Sequence, residues 1–315
     1  MKKKVNVLVT GCGGDIGLSI GKILNELEYV NNLYGCDISE KNAAKFIFDN
    51  FLIGLPVSDG NFLKNLEKLV IEYNIDFIIP VSEHELRFFA SEDISDSLIS
   101  GKLIMASDRA LEVGFDKLET ANFLEKHGLP FPKTQLVNAE KGVQKFPVIA
   151  KSRTGSGSSK IEVVEDTETL KLLRKTNPDF IVQEYLEGDS GEFTCGLFRS
   201  KKGEIRTIIF KRELHGSYSG YGEVIVSQEI DDLLLSMAEK LNLVGSINVQ
   251  LRLGPQGPTV FEINPRFSST VRFRDLLGYH DVKWSIEDAL GVEVSDFHKV
   301  PEGKKFYKGF IEYIQ

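Results

Sequence analysis

The sequence predicts an α/β domain over residues 1–112, followed by an α+β region over residues 113–315. In the first part, short apolar runs alternate with longer amphipathic patterns, an order that is typical of βαβ units and a parallel sheet. In the second part, strand patterns follow one another closely, and helical patterns only interrupt them. A chain of 315 residues is also long enough for two domains.

The elements of the first part follow from the spacing of apolar residues. Apolar runs predict strands at positions 5–9, 33–36, 77–81 and 103–105. Amphipathic patterns predict helices over 15–27 and 62–73. On the first of these helices, Ile16, Ile20 and Ile23 share one face, which we expect to pack on the sheet.

The second part begins with a helical pattern over 116–127. Gly128 is suited to end that helix, and the prolines that follow prevent its continuation. Two further helices are predicted over 166–175 and 230–241. Strand patterns lie at 147–151, 160–164, 180–185, 192–199, 204–211, 245–253, 258–263 and 306–314.

The composition is ordinary for a globular protein and excludes several classes. Apolar residues make up 42% and charged residues 27% of the chain, which excludes a disordered or collagen-like protein. The net charge of −8 lacks the basic surface that a general nucleic-acid-binding protein needs. No apolar run approaches the ~20 residues of a membrane span, and 5–9 is too short for a signal peptide. Three cysteines without metal-ligand spacing favour a reducing, cytoplasmic setting.

A glycine-rich turn follows the first predicted strand. Gly11, Gly14 and Gly17 have the spacing of a dinucleotide-binding turn, and Asp37 ends the second strand, where an acidic residue would hold a ribose. The same glycines would also serve any sheet with a tight turn between strand and helix. The turn therefore leaves two interpretations open, an NAD(P) site and a purely structural turn.

A second glycine-rich segment, residues 151–160, lies between two predicted strands and is therefore not a Walker A loop. A hairpin rich in glycine and serine can fold over a polyphosphate and exclude water. Lys151 ends an apolar strand, so its ammonium group would enter a cleft as a phosphate partner. The alternative is a flexible hairpin that is exposed to solvent.

The most informative segment lies near the end of the chain. Glu262 and Asn264 are two residues apart on a strand and therefore face the same side. The turn at 254–257 brings Gln250 of the preceding strand opposite Glu262. One carboxylate with neutral oxygen donors suits Mg²⁺, which bridges to nucleotide phosphates. Arg266 follows as a guanidinium that would neutralise a transferring phosphoryl group.

Together these segments resemble the ATP-grasp superfamily, most closely the single-module relatives of the carbamoyl-phosphate synthase large chain. The resemblance covers nearly the whole chain and rests on four elements in the family's order, at 116–130, 147–159, 183–188 and 248–266. It implies a Rossmann-like (pre-ATP-grasp) domain over 1–112 and an ATP-grasp domain over 113–315, with a lid subdomain at about 141–188. It also implies ATP and Mg²⁺ as cofactors, and Mn²⁺ could replace Mg²⁺.

The resemblance also implies roles for individual residues. Lys117 and Lys151 match the residues that hold the ATP phosphates, and Arg266 matches the arginine that faces the acyl phosphate. Lys151 and Arg266 are thus the expected catalytic residues. The residues that match the metal ligands are Gln250, Glu262 and Asn264. The residues that match the phosphate lid, the adenine-binding strand and the ribose-binding acid are Gly155, Ser156, Gly157, Ser158, Gln183, Glu184, Tyr185, Leu186 and Glu192.

Candidates for the substrate site lie outside this set. The N-terminal domain of such proteins tends to contribute the acceptor's pocket, and Glu83 and His84 follow the third predicted strand at the crevice. Lys211 and Arg212 are candidates for binding a carboxylate. The alternatives are a surface residue at a helix start for His84 and a basic strand end for Lys211 and Arg212. Residues 211–221 are rich in glycine, serine and tyrosine, and we expect a substrate-selecting loop over the cleft.

The reaction implied by the resemblance is an ATP-driven ligation. A carboxylate attacks the γ-phosphate to form an acyl phosphate, and an amine or other nucleophile then displaces phosphate, leaving ADP. The partners are therefore small molecules rather than nucleic acid or membrane, and a homodimer is compatible with this interpretation. Two alternatives are an NAD(P)-dependent reductase or epimerase and a nucleotide-binding module without catalysis. The first would need a Tyr-x-x-x-Lys motif, which is absent from residues 1–200.

Overall fold

The structure is a computed structural model, which describes residues 3–139, 143, 145–155, 161–186, 191–216, 218–254 and 257–314. These residues form three β-sheets with helices packed against them. In the described ranges, no helix combines the length and the apolar composition that crossing a membrane requires.

The first sheet is parallel, as the alternation of strands and helices predicts. Its strands, in the spatial order β3-β2-β1-β4, are β1 (Val5–Thr10), β2 (Val30–Asp37), β3 (Asn50–Ile53) and β4 (Phe77–Pro80). Its helices are α1 (Asp15–Leu24), α2 (Phe62–Glu72) and α3 (Glu83–Ser91). The chain order reverses between β1 and β4, and open α/β sheets bind ligands at such a switch point.

The strand predicted at 103–105 is wrong. Leu103 makes one isolated parallel bridge to Ile78, and the chain then leaves the sheet. The backbone N–H of Ser107 donates to the carbonyl of Val244 instead, which carries the chain to the other half of the molecule. A helix that was not predicted, α4 (Asp108–Phe115), begins there.

The second sheet is antiparallel and contains most of the segment predicted as the lid. Its strands, in the order β5-β8-β6-β7, are β5 (Thr134–Leu136), β6 (Val148–Ser152), β7 (Ile161–Val164) and β8 (Phe180–Glu184). The neighbouring helices are α5 (Lys117–Lys126) and α6 (Thr167–Thr176). Asp116 and Asp166 cap them by accepting backbone N–H bonds at 2.9 and 2.8 Å. Gly128, with φ of +64°, follows α5 as predicted.

The third sheet is antiparallel and has the spatial order β13-β12-β9-β10-β11-β14. Its strands are β9 (Glu192–Arg199), β10 (Ile205–His215), β11 (Tyr218–Val224), β12 (Gly245–Gly254), β13 (Gly257–Asn264) and β14 (Lys305–Tyr307). Its helices are α7 (Gln228–Lys240), α8 (Val271–Leu276) and α9 (Asp281–Ala289). The closing strand predicted at 306–314 is wrong beyond Tyr307, because only three residues of β14 pair with β11.

Residues 211–215 and 218–221 belong to two paired strands, so the predicted loop is wrong for these residues. β10 continues to His215 and pairs with β11 in antiparallel register. A Cβ added at Gly220 would lie 2.3 Å from the ring of His215, and one at Gly222 would lie 2.3 Å from the ring of Phe306. Gly220 and Gly222 therefore make room for the rings of His215 and Phe306.

Helices from the end of the chain complete the core of the first sheet. Val271 of α8 and Val282 and Ile286 of α9 are buried in the same apolar cluster as Val7 and Ile20. A second cluster packs α4, α5 and α7 against the third sheet. The C-terminal helices therefore hold the first and third sheets together, and a cleft lies between these sheets.

Candidate active site

The cleft is a cavity of about 640 Å³ where the carboxyl end of the first sheet faces the second and third sheets. Most of the predicted nucleotide, metal and catalytic residues in the described part of the chain line it. These residues are Lys117, Lys151, Gly155, Gln250, Glu262, Asn264 and Arg266, and the substrate candidate Arg212 lines the cavity as well. Ser156, Gly157 and Ser158 lie outside the described residues. The fold thus brings together segments that are as far as 149 residues apart in the chain, from Lys117 to Arg266.

Strands β12 and β13 place the three predicted metal ligands side by side. Gln250 lies directly opposite Glu262, as predicted, and Asn248 lies opposite Asn264. One carboxylate and two amide side chains therefore present oxygen atoms to the cleft, a donor set that suits Mg²⁺. In the described residues, no three His, Cys, Asp or Glu side chains form a competing metal site.

The two lysines approach this donor set from separate elements. Lys151 of β6 is only 5% exposed, and its Nζ donates to the carbonyl of Phe261 at 3.4 Å. Burial lowers the pKa of Lys151 to about 8, while the carboxylate of Glu262 opposes that shift. Lys117, in the first turn of α5, donates from Nζ to the carbonyl of Gly155 at 2.8 Å. Both ammonium groups can therefore reach a polyphosphate in the cleft.

Arg266 lies where β13 turns towards the first sheet. A Cβ at Gly114 of α4 would lie 2.7 Å from Pro265, so that glycine lets the helix approach the turn closely. Arg266 donates from Nη1 to the carbonyl of Phe267 at 2.9 Å. Burial lowers the pKa of Arg266, and the carboxylate of Glu83 opposes this shift from the first sheet's side. The guanidinium thus lies between the metal donor set and the N-terminal half.

The predicted adenine-binding residues lie at the end of β8 and do not line the described cavity. Gln183 is buried and donates from Nε2 to the hydroxyl of Thr134 at 2.9 Å. Glu184 is exposed and accepts from the backbone N–H of Lys133 at 3.2 Å. Tyr185 and Leu186 follow, and the chain then passes outside the described residues. These residues border the cleft through β6, which pairs with β8.

Glu192 and Arg212 form an ion pair in the cleft. Arg212 donates from Nε to Oε1 of Glu192 at 3.0 Å and from Nη2 to Oε1 of Gln250 at 3.0 Å. Arg252 lies 3.6 Å from the other carboxylate oxygen of Glu192. Lys211, the neighbour of Arg212, is exposed and does not line the cleft, because consecutive strand residues face opposite sides. The two basic residues are therefore separated.

The two substrate candidates at the start of α3, Glu83 and His84, also lie at different sites. Glu83 accepts from Nε and Nη2 of Arg87, at 2.8 and 2.6 Å, and lies near Arg266. His84 is exposed at a second cavity of about 680 Å³, beside the carboxyl ends of β1 and β2. Glu85, which the sequence did not single out, also lines this second cavity. Burial raises the pKa of Glu85 to about 7.

Packing accounts for the glycine-rich turn before α1. A Cβ at Gly17 would lie 2.5 Å from the backbone of Cys12, so only glycine lets the helix approach the turn. Gly11 has φ of +62°, a backbone conformation that glycine adopts readily. Asp37 accepts from the backbone N–H of Gly13 at 2.8 Å. Gly11, Gly17 and Asp37 thus have structural roles within the turn itself.

Several residues that line the cleft were missed by the sequence analysis. They are Asn248, Leu214 and Tyr218. For Asn248 a signal was present, because it lies two residues before Gln250 on the same strand and therefore faces the same side. Leu214 and Tyr218 lie on the paired strands β10 and β11, a pairing that the sequence analysis did not predict.

Comparison with known proteins places the second part of the chain in a family. Residues 115–270 match the family described as the ATP-grasp domain. The 3-methyl-D-ornithine–L-lysine ligase of Methanosarcina acetivorans is 26% identical over 216 residues, which are 66% of this chain and 54% of the relative. The carbamoyl phosphate synthase large chain of Campylobacter jejuni is 23% identical over 202 residues, 56% of this chain and 18% of the relative. The chain thus spans about half the length of the first relative and less of the second.

The whole fold also resembles a solved structure. The ADP complex of an N5-carboxyaminoimidazole ribonucleotide synthetase aligns with a TM-score of 0.76, covering 97% of this chain and 81% of that protein. The sequence identity in this alignment is 16%, so the likeness concerns the fold. The resemblance drawn from the sequence motifs is confirmed: the chain carries an ATP-grasp domain over residues 115–270 and is homologous to the carbamoyl-phosphate synthase large chain.

Proposed function

We propose that this chain is an ADP-forming ligase, which phosphorylates a carboxylate with ATP and transfers the acyl group to an amine or related nucleophile. One observation carries this proposal. Lys151 and Arg266 lie in the same cleft as the oxygen donors Gln250, Glu262 and Asn264, within an ATP-grasp domain. Cations beside a donor set for Mg²⁺ are what phosphoryl transfer requires.

The proposed site residues form two groups: one binds the nucleotide and the other holds the metal. Lys117 and Lys151 hold the phosphates, and the segment that begins at Gly155 closes over them. The strand end at 183–186 binds the adenine, and Glu192 binds the ribose after its ion pair with Arg212 rearranges. Gln250, Glu262 and Asn264 hold Mg²⁺, which supplies charge neutralisation between the phosphates when bound.

Catalysis rests on alignment and electrostatics rather than on covalent chemistry of the protein. Lys151 is positioned by β6 with little freedom to move, so its charge is already directed at the phosphates before the reaction. Arg266 stabilises the negative charge on the phosphoryl group as it passes to the carboxylate. Enclosure by the lid segment excludes water, which would otherwise hydrolyse the acyl phosphate.

The substrate enters between Arg266 and the N-terminal half. Glu83 lies near Arg266, and a carboxylate there suits an amine or ammonium group of the acceptor. Arg212, on the opposite wall, suits a carboxylate. Because a relative is named as a ligase of 3-methyl-D-ornithine and L-lysine, amino acids are the first substrate class to test.

The proposal is tested by a screen for ADP release. Pairs of amino acids, and pairs of a small carboxylate with an amine, are mixed with the protein, ATP and Mg²⁺. We expect at least one pair to raise ADP release above the rate with ATP alone, with a stoichiometric ligated product by mass spectrometry. A thermal-shift series with Mg·ATP, Mg·ADP and NAD(P)H accompanies the screen. Stabilisation by NAD(P)H and none by Mg·ATP would contradict the proposal.

A further inference from the structure

Asn248 lies in the cleft beside the predicted metal ligands. It is on β12, two residues before Gln250, and pairs with Asn264 of β13. Its side chain is only 1% exposed, yet it lines the cavity. A polar side chain at such a position requires partners for both ends of its amide.

The oxygen of this amide already accepts hydrogen bonds from two neighbouring side chains. Oδ1 of Asn248 accepts from Nη2 of Arg274 at 2.5 Å and from the hydroxyl of Thr194 at 2.9 Å. A guanidinium can only donate, so the atom that faces Arg274 must be the oxygen. In the described part of the chain, no acceptor is found for Nδ2 of Asn248. The two N–H groups of the amide are therefore available as donors to a ligand in the cleft.

Arg274 is held in place by a buried network behind the sheet. The side chain is fully buried and forms an ion pair with Asp281 at 3.2 Å, and Asp281 also accepts from Ser246 at 2.8 Å. Gly196 of β9 makes room for the guanidinium, because a Cβ there would lie 2.9 Å from Cζ of Arg274. The orientation of Asn248 is thus determined by a residue that does not reach the cleft.

We infer that Asn248 binds an anionic oxygen of the substrate through its Nδ2 N–H groups, and that Arg274 is the positioning residue that imposes this orientation. The anion is the phosphoryl group under transfer or the carboxylate that receives it, since the two meet beside the metal donors. Asn248 is then a donor to substrate rather than a fourth oxygen ligand of the metal. This inference rests on the proposed function.

The substitution Asn248→Asp separates this role from folding. An aspartate keeps the oxygen that accepts from Arg274 and Thr194 but replaces the two N–H donors with a second carboxylate oxygen. We expect the Tm of N248D to equal or exceed that of the parent chain, because Arg274 keeps its acceptor and gains an ion pair. If the anion belongs to the phosphoryl group, we expect Mg·AMP-PNP to bind at least ~10-fold more weakly to N248D, with Mg·ADP bound within ~3-fold of the parent.

Two measurements on N248D distinguish whether the anion belongs to the phosphoryl group or to the carboxylate. Weaker binding of Mg·AMP-PNP, and of inorganic phosphate to the Mg·ADP complex, identifies the phosphoryl group. A KM raised at least ~10-fold for the carboxylate substrate, with normal nucleotide binding, identifies the carboxylate. Thr194→Val is the matched control, since it perturbs the same buried contact while Arg274 still orients the amide. N248D that folds and leaves all three quantities unchanged would overturn the inference, whereas a parent chain that binds no nucleotide would overturn the proposed function first.

Discussion

At the scale of single residues, the cleft holds ionisable side chains at positions where burial disfavours their charged forms. Lys151 is nearly inaccessible to solvent, and burial lowers its pKa to about 8 from an ordinary value of 10.5. Glu262 and Glu192 favour the charged form, whereas Lys117 disfavours it. A bound polyphosphate would supply the missing negative charge. Burial of this charge therefore destabilises the protein when no anion is bound beside it.

The substitution Lys151→Met measures how much the buried charge of Lys151 lowers the free energy of unfolding. In the parent chain, the folded state binds fewer protons than the unfolded state between about pH 8 and 10.5, so stability rises with pH across this window. K151M lacks this dependence. We expect K151M to be more stable than the parent at pH 7 by on the order of 3 kcal/mol. The difference should shrink towards pH 10.5, as measured by urea unfolding at several pH values.

Nucleotide binding supplies the control for this substitution. K151M should lose Mg·ATP binding while it gains stability, because the methionine has no charge for the phosphates. A variant that is less stable than the parent at pH 7, with a difference independent of pH, would show that Lys151 is not buried as a costly cation.

Glu262 carries the only carboxylate of the predicted metal donor set. Glu262→Gln keeps the shape of the side chain and removes its charge, so we expect ATP turnover to fall by ~10²-fold or more. ADP release under saturating Mg²⁺ measures this effect. Glu239→Gln, at an exposed position on α7, is the matched control and should leave turnover unchanged. Near-normal turnover of E262Q would remove Glu262 from the metal site.

At the scale of elements, α5 and the segment before the lid are joined through one side chain. Asp116 caps α5 by accepting from the backbone N–H of Leu118 and also accepts from Nε of Arg153 at 2.7 Å. The backbone N–H of Lys117 donates to the carbonyl of Arg153 at 3.0 Å. The helix start that carries Lys117 is thus fastened to the chain that leads into the glycine-rich segment.

Asp116→Ala tests this junction. Loss of the cap should cost about 1–2 kcal/mol of stability. The Kd of Mg·ATP should rise as well, because Lys117 and Gly155 lose their common anchor. Isothermal titration and chemical unfolding measure the two effects. Asp166→Ala removes the equivalent cap of α6 and should reduce stability without changing the Kd. Equal Kd values for the two variants would show that the junction at Asp116 does not contribute to nucleotide binding.

At the scale of the whole molecule, the two halves share their cores and the end of the chain. α8 and α9 pack on the first sheet, and the segment after β14 contacts residues that flank this sheet. Lys308 forms an ion pair with Asp15 at the start of α1, and Tyr313 stacks on Phe46 with ring centroids 4.9 Å apart. The relation between the halves, and with it the width of the cleft, therefore depends on packing rather than on a linker.

Because of this shared core, we expect the chain to unfold in one transition. Ile286→Ala removes a fully buried side chain of α9 that packs on the first sheet, at a cost of about 2–5 kcal/mol. Fluorescence of Trp284, the single tryptophan, and far-UV circular dichroism should give the same midpoint in the parent chain and a common lower midpoint in I286A. A second transition seen only by dichroism would show that the first sheet unfolds independently.

The elements that the sequence predicted well are those whose burial is visible in a local pattern. β9 runs from 192 to 199 as predicted, because residues 193–198, most of them apolar, form one continuous buried run. β3 was missed although Phe51, Leu52 and Ile53 form a short apolar run, and none of its four residues is buried. α9 was missed as well, since its buried face includes Asp281 and Glu287, whose partners lie on other elements or later in the chain.

The strand periodicity, the helix caps, and the shared face of Gln250, Glu262 and Asn264 could be derived from the sequence, since each depends on neighbours a few residues away or across one hairpin. The position of Lys211 outside the cleft, the pairing of β10 with β11, and the orientation of Asn248 by Arg274 could be seen only in the folded molecule. These outcomes depend on side chains from distant segments that compete for the same space and the same hydrogen-bond acceptors. No local pattern in a single sequence records that competition.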